Sequence, residues 1–495
     1  MLYVQPQQML DCITKFSGID DARTLYCTLL NYDYQDRPIP VEDWTKPAKE
    51  IIIDGKIIAK KSNFHILYFT IRKLTRTNER TVLKEILKNF SDCAVIFTTE
   101  EENEFHITSP KYEPESRYKF IIRRYVVGKY EQLRTASERL CLTYALDTDT
   151  PTELKAKHDD AFNVEAVTKQ FYEEYRTILD KIEEELQSQG IGDKKTAKGF
   201  AQQFLNRLMF LYFIQKRGWL NNDRRFVWSL VKRYKRAGGT PNGIYRDWIE
   251  PLFFYSFNNK EISDSYDPLP ADLSEIYNKM PYLNGGLFLM NDLDKVGYRL
   301  DDALIYKIVD IDGSGLLEWY NFTIREDTPF DVDVAVDPEM LGKVYESLIQ
   351  EEERGKVGIF YTPRIEVDFM CRQSLLEYVI EHTGISHDKL ISFIYAPEGD
   401  RADLLSEEEA QKIGNALYNV QIVDPACGSG AFLVGMLHVL MELYSQILKR
   451  LNKRLNPFKT KKEIISNNLY GADIKDWAVR VAEGLPRNKL ISFIN

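Results

Sequence analysis

The sequence predicts a chain of mixed α/β and α class in three parts. These are an α/β domain over residues 1–145, a mainly helical segment over 146–335, and, over 336–495, the opening of a doubly wound parallel sheet. Three observations carry this division. Short apolar strands separated by helical periodicity fill the first part, and between residues 164 and 214 apolar residues recur at helical spacing. Residues 421–435, Gln-Ile-Val-Asp-Pro-Ala-Cys-Gly-Ser-Gly-Ala-Phe-Leu-Val-Gly, pass from an apolar strand through an acid and a turn of small residues into an apolar helix.

In the first part a helix is expected near Asp20–Leu30, followed by strands near Glu50–Ile53, Ile57–Ala59 and His65–Ile71. A helix over about Asn78–Asn89 follows, then strands near Ala94–Thr98, Glu104–Ile107 and Tyr118–Val127.

In the middle part, apolar residues at 167, 171, 175, 178, 179 and 182 with Glu and Lys between them predict an amphipathic helix over Val164–Gln187. Phe204–Ile214 is nearly all apolar around Asn206 and Arg207, so it should be buried, and Gly218 should end that helix. The net charge of -10 does not by itself suggest a nucleic-acid partner. Its distribution says more: residues 201–250 carry 10 Lys and Arg against 3 Asp and Glu, and residues 251–350 carry 7 against 19. If the basic stretch is helical, Arg225, Lys232 and Arg236 share one face with Trp228 on its flank, while Phe226 turns away. Cations interleaved with aromatics suit phosphate contacts. A solvated helix face beside an acidic neighbour is the plainer alternative.

In the third part Ile422–Val423 reads as the end of a buried parallel strand, closed by Asp424-Pro425. Gly428 and Gly430 let backbone approach a ligand without a Cβ in the way. Phe432, Leu433, Met436, Leu437, Leu440 and Leu443 then recur at helical spacing. Such a unit places a ligand at the carboxyl ends of the strands. The turn is neither the Gly-x-Gly-x-x-Gly of dinucleotide sites nor a phosphate loop with its lysine. An acid at the strand end suits a ligand with a positive amino group.

Asp-Pro-Ala-Cys-Gly-Ser-Gly-Ala-Phe-Leu resembles the first motif of amino-methylating DNA methyltransferases. The resemblance implies a Rossmann-like methyltransferase domain in which this acid and these glycines hold S-adenosylmethionine. Gly358-Ile359-Phe360-Tyr361-Thr362-Pro363 looks like the family's motif that closes over the methionine end of the cofactor. Asn468–Lys475 reads as a second strand whose Asp473 fits the acid that accepts both ribose hydroxyls. The implied cofactor contacts are therefore Tyr361, Thr362, Pro363, Asp424, Pro425, Ala426, Gly428, Gly430 and Asp473. The family's fourth motif, Asn/Asp-Pro-Pro-Tyr/Phe, accepts the adenine amino hydrogens and stacks the flipped base. This chain contains no such tetrapeptide, and its Asn456-Pro457-Phe458 has one proline and lies before the second strand. No catalytic residue can be named. A helix from about Lys475, with Trp477, Ala478, Val481 and Ala482, is broken by Gly484 and Pro486. The expectation is the front of a methyltransferase, truncated after the second strand, with doubtful cofactor binding on its own and a C-terminal fragment as a possible completing partner.

Phe204–Phe213, Tyr282–Phe288 and Pro338–Glu346, in this order, resemble the connector of large single-chain restriction–modification enzymes of the type IIG-like class. With the methyltransferase motifs the resemblance covers roughly residues 150–483. It implies adenine methylation of double-stranded DNA within a restriction–modification system. A non-catalytic remnant, one part of a split enzyme, and a protein or RNA methyltransferase stay as alternatives. In the first part, helix, three strands, helix, strand is the core order of PD-(D/E)XK nucleases, a likeness of topology alone. Asp54 would be that site's first acid, but Phe69-Thr70-Ile71-Arg72-Lys73 lacks the acid-x-Lys pair, so a degenerate domain is expected.

Six cysteines at 12, 27, 93, 141, 371 and 427, without Cys-x-x-Cys, read as reduced core thiols of a cytoplasmic chain. Six dispersed histidines build no metal site by spacing. No signal peptide and no uninterrupted apolar run of membrane-spanning length is evident.

Overall fold

The computed structural model describes residues 3–113, 119–190, 193–258, 269–283, 286–290, 292, 294–309, 315–323, 331–336, 362–396, 404–428 and 430–473. It is a mixed α/β structure that divides into two compact units. The first comprises Met1–Ile178, Asp223–Pro241 and Asp301–Asp337, and the second Leu179–Asn222, Asn242–Leu300 and Pro338–Asn495. The expected helical segment 146–335 is thus shared between the units rather than standing as a block.

The first unit is built on a seven-stranded sheet ordered along the chain. Its strands are β1 (Asp33–Pro38), β2 (Ile52–Lys61), β3 (Phe64–Ile71), β4 (Cys93–Thr98), β5 (Glu104–Tyr112), β6 (Phe120–Gly128) and β7 (Asp331–Asp333). Neighbours are antiparallel except β3–β4 and β6–β7. The Arg76–Asn89 helix makes the β3–β4 crossover, and Thr75 caps it by accepting from the Asn78 N–H. Its Val82, Leu83 and Ile86 pack with Leu67, Phe69, Ile71, Val95 and Phe97 in one core.

Several expectations are corrected here. The residues Asp-Tyr-Gln-Asp-Arg-Pro of β1 are mostly exposed, so this edge strand has no apolar alternation to announce it. The two strands expected at Glu50–Ile53 and Ile57–Ala59 are one ten-residue strand, β2, entered from a Lys46–Ile51 helix. Gly55 lies within the strand, opposite Phe69, whose ring lies over it. A Cβ there would sit 2.4 Å from Phe69 Cε1. The expected Asp20–Leu30 helix is an α-helical turn, Ile19–Arg23, that widens into a π-helical turn over Thr24–Leu29. The expected last strand begins at Phe120; Tyr118 lies outside the described residues.

β7 was not foreseen, since its partner β6 lies some 200 residues earlier in the chain. A buried ionic network attaches it. Arg124 on β6 is 1% exposed and donates to Glu79 Oε2 at 2.8 Å and to Asp331 Oδ1 at 3.2 Å. Arg80 reaches Asp331 Oδ2 at 2.9 Å, and Arg76 donates to the Asp331 carbonyl at 2.8 Å. Thr323 donates to Asp333 at 3.0 Å, and His106 lies between Glu79 at 2.6 Å and Glu104 at 3.0 Å. Charges this buried are tolerated only because each has a partner.

In the second unit the Lys194–Lys216 helix starts at an Asp193 cap and is buried almost throughout from Phe204 to Gln215. Arg207 within it is 1% exposed, is paired with Asp294 at 2.7 Å, and donates to the Leu287 carbonyl at 2.7 Å. That contact joins the 204–213 motif to the 282–288 motif and explains an arginine among apolar residues. The Pro338–Glu346 motif lies outside the described residues.

The same unit holds the expected parallel pair β8 (Ile422–Asp424) and β9 (Leu469–Gly471), but not as the buried strands expected: Val423 is 65% and Tyr470 45% exposed. The helices Arg364–Thr383, His387–Tyr395, Glu407–Asn419, Ala431–Arg450 and Pro457–Asn467 surround one core beside it. By length and composition the Ala431–Arg450 helix is apolar enough to cross a membrane. Its Leu437, Leu440 and Leu443 are fully buried in that core, which makes it a core helix of the domain. Gly435 lets it cross the Arg364–Thr383 helix closely: a Cβ there would lie 2.4 Å from Val367 Cγ1. Gly435→Val should therefore destabilise this unit by about 1–3 kcal/mol through overpacking. Chemical denaturation measures it, and an unchanged midpoint would show that the crossing is looser than drawn.

Candidate cofactor site at the ends of two parallel strands

Register puts the carboxyl ends of the two strands side by side, with Ile422 opposite Leu469, Val423 opposite Tyr470 and Asp424 opposite Gly471. The chain continues the pairing past both ends. The Ala472 N–H donates to the Asp424 carbonyl at 2.9 Å, and the Cys427 N–H donates to the Ala472 carbonyl at 3.0 Å. Gly471 must lack a side chain for this, because a Cβ would stand 2.8 Å from Leu433 Cδ1 and 3.0 Å from Cys427 Sγ.

The turn itself is shaped by Gly428 at φ 51° and Gly430 at φ 93°, backbone values that disfavour other residues. Gly430 is also the residue before the Ala431–Arg450 helix, so the open N-terminus of that helix faces the turn. The Gly428 N–H donates to Asp473 Oδ2 at 2.9 Å, which ties the tip of the turn to the acid after β9. On the other acid, Asp424 Oδ1 accepts from the Ala426 N–H at 3.2 Å, whereas Oδ2 is buried with no hydrogen-bond partner among the described residues. Burial, with a smaller contribution from the nearby Asp473 charge, raises the Asp424 pKa from its ordinary value. A buried, unpartnered carboxylate oxygen is costly and calls for a donor. A ligand that brings N–H groups to Asp424 meets that need, and Asp473, which already accepts from the Gly428 N–H, stands beside it as a second acceptor. The residues present thus fit the amino-acid and ribose parts of S-adenosylmethionine.

The structure brings together Asp424, Pro425, Ala426, Gly428, Gly430 and Asp473. Thr362 is half-buried and Pro363 caps the Arg364–Thr383 helix, but among the described residues no hydrogen bond joins either to the turn. Tyr361, and the helix expected from Lys475, lie outside the described residues.

Of the basic residues, Lys232 and Arg236 lie on the Phe226–Ala237 helix as expected, but Arg225 is corrected. It precedes the helix, and its guanidinium donates to the buried Glu318 at 2.6 Å and 3.1 Å. Its charge is thereby neutralised. Trp228 is not merely on the flank: Arg225 and Lys232 lie over its ring at 4.2 Å and 3.9 Å. Sequence reading missed Arg224 and Tyr130, whose charge and ring meet at 4.5 Å although the residues are 94 positions apart, a pairing that helical spacing cannot reveal.

Asp54 on β2 is opposite Thr70, and its Oδ1 accepts from the adjacent Gly55 N–H. Among the described residues no group of three or more His, Cys, Asp and Glu is placed to hold a metal ion. The chain is accordingly expected not to nick plasmid DNA with magnesium. Nicking that disappears in Asp54→Ala would overturn this.

Residues 401–485 match the model of the MmeI DNA-methyltransferase domain. The chain is 30% identical over 298 residues, 58% of its length, to a putative type II restriction enzyme and methyltransferase of Methanocaldococcus jannaschii, of which the match covers 24%. It is 24% identical over 286 residues, 57% of its length, to DNA methyltransferase A of Bacillus subtilis, covering 26% of that protein. Among solved structures it is similar to the Type IIL restriction-modification enzyme MmeI in complex with DNA, with a TM-score of 0.38, 18% identity, and coverage of 65% of this chain and 35% of that one. The matches span about a quarter of the length of the two curated relatives. Residues 401–485, which hold the turn and both strands, are the part that the methyltransferase-domain model matches. The family model that matches is a DNA-methyltransferase domain, in agreement with the methyltransferase resemblance of Asp424–Leu433.

Proposed function

We propose that this chain is the cofactor-holding part of an adenine-specific DNA methyltransferase of a restriction–modification system, working in the cytoplasm on double-stranded DNA. The observation that carries the reading is the pair Asp424 and Asp473 at adjoining strand ends, one with a buried oxygen awaiting a donor. S-adenosylmethionine supplies a sulfonium methyl group for transfer to an amino nitrogen. This chain's residues would orient it: Asp424 takes the amino group, Asp473 the ribose hydroxyls, and Gly428 and Gly430 keep the approach open. Thr362, Pro363 and Tyr361 complete the cofactor contacts in this proposal. The segments 1–145, 146–335 and 336–495 are read as a degenerate nuclease-like domain, a connector and the methyltransferase portion.

The sequence holds no Asn/Asp-Pro-Pro-Tyr/Phe, so the groups that accept the amino hydrogens and stack the base would come from another polypeptide segment. Chain supplied with such a segment, labelled cofactor and DNA should place the label in N6-methyladenine after nuclease digestion. Label in cytosine, RNA or protein instead would contradict the substrate assignment.

A further inference from the structure

We propose that Lys129, Tyr130, Arg224, Trp228, Lys232 and Arg236 form a docking surface for the phosphate backbone of double-stranded DNA. The six residues come from two places in the first unit, the turn after β6 and the start and outer face of the Phe226–Ala237 helix. Two aromatic rings organise them. Tyr130, 42% exposed, carries Arg224 over its ring at 4.5 Å and Lys129 at 5.4 Å. Trp228 carries Lys232 at 3.9 Å beside the neutralised Arg225.

A cation held on a ring differs from one held by a carboxylate: its position is fixed, but its charge is kept. Among the described residues no carboxylate pairs with Lys129, Arg224, Lys232 or Arg236. Residues 223–241 contain Arg224, Arg225, Lys232, Arg233, Lys235 and Arg236 against the single acid Asp223, in a chain of net charge -10. Lys235 and Arg236 in the last helical turn would suit the helix dipole alone. That explanation does not reach Lys129 and Arg224, which lie outside the helix. Ordered cations lose less side-chain freedom on meeting a phosphate, so stacking prepares the surface for a polyanion.

The ring faces are occupied by cations, which leaves no platform for the stacked bases that single-strand binders use. The favoured partner is therefore a duplex, read through its backbone and without sequence preference. The inference shares with the proposed function only the polymer, since no residue of the cofactor site takes part.

The test is duplex binding by the full chain, followed by fluorescence anisotropy across a salt series. Arg224→Gln, Lys232→Gln and Arg236→Gln should each reduce the slope of log affinity against log salt by roughly 0.9, and the triple variant by roughly three times that. Charge-retaining Arg224→Lys, Lys232→Arg and Arg236→Lys should keep the slope, which separates lost contacts from lost folding. Trp228→Leu should weaken binding at an unchanged slope, because it removes ordering rather than charge. Unchanged slopes in a folded triple variant would overturn the surface. Tighter binding of single strands than of duplex, abolished by Tyr130→Ala, would also overturn it in favour of base stacking. If S-adenosylmethionine still binds in an Asp424-dependent way while the slopes do not move, the surface is wrong and the methyltransferase reading stands.

Discussion

Incubated with saturating S-adenosylmethionine and duplex DNA, the chain is expected to transfer no methyl groups on its own. A supplied segment carrying Asn-Pro-Pro-Tyr should raise the rate by several orders of magnitude. An adenine amino group is a poor nucleophile, and its attack needs acceptors for its hydrogens as charge develops, together with a fixed line of approach to the methyl carbon. Preorganised polar groups at such a point are worth about 10²–10³ in rate each. Positioning the two reactants adds more. Asp424 and Asp473 fix only the cofactor side of that geometry, and no tetrapeptide in this sequence serves the base. Transfer of labelled methyl groups without the added segment would refute this. Transfer only with it would show that the groups serving the base lie on that segment.

The second large effect is structural. Arg124→Ala should cost the first unit about 3–5 kcal/mol, because it takes a cationic partner from two buried acids at once, leaving Glu79 with His106 and Asp331 with Arg80. By the usual entropy of unfolding this is roughly 2–4 °C of melting temperature per kcal/mol for a unit of this size. Arg124→Ala combined with Glu79→Gln should cost clearly less than the sum of the two, since the second change removes a charge whose guanidinium partner the first has taken away. The pH dependence has a definite sign. His106 and then Arg124 hold the Glu79 pKa below the ordinary carboxylate value in spite of burial. A depressed folded pKa gives stability that is present above the unfolded carboxylate pKa, about 4.3, and lost as pH falls through the folded value. Acid unfolding of the wild type should therefore steepen below that range, and Glu79→Gln should flatten it. Additive variants, or an unchanged acid limb, would show that the network does not attach β7.

How much of this was legible in the sequence follows from range. The turn Asp424–Gly430 was readable because strand end, acid, small residues and helix start are neighbours in the chain, and one local backbone path satisfies them all. Phe204–Ile214 was readable as buried for the same reason, and even its odd Arg207 could be singled out, although not its partner Asp294. Strands β1 and β7 were hidden. The first is an edge with polar residues on both faces, and the second is three residues long and depends on Arg76, Arg80 and Arg124 far upstream. Arg225 misled for a related reason: helical spacing placed it beside Lys232, whereas a buried Glu318 some 90 residues later decides where its charge goes. The continuity of β2 through Gly55 was hidden because nothing local reveals the Phe69 ring above it.

The most direct measurement is S-adenosylmethionine binding by ligand-observed NMR, which detects weak complexes, in the wild-type chain and in Asp424→Ala and Asp473→Ala. The cofactor-site reading predicts weak binding, roughly millimolar or somewhat tighter, that disappears in Asp424→Ala and falls by tenfold or more in Asp473→Ala, with the folded state intact by circular dichroism. Binding that persists unchanged in both variants would contradict it.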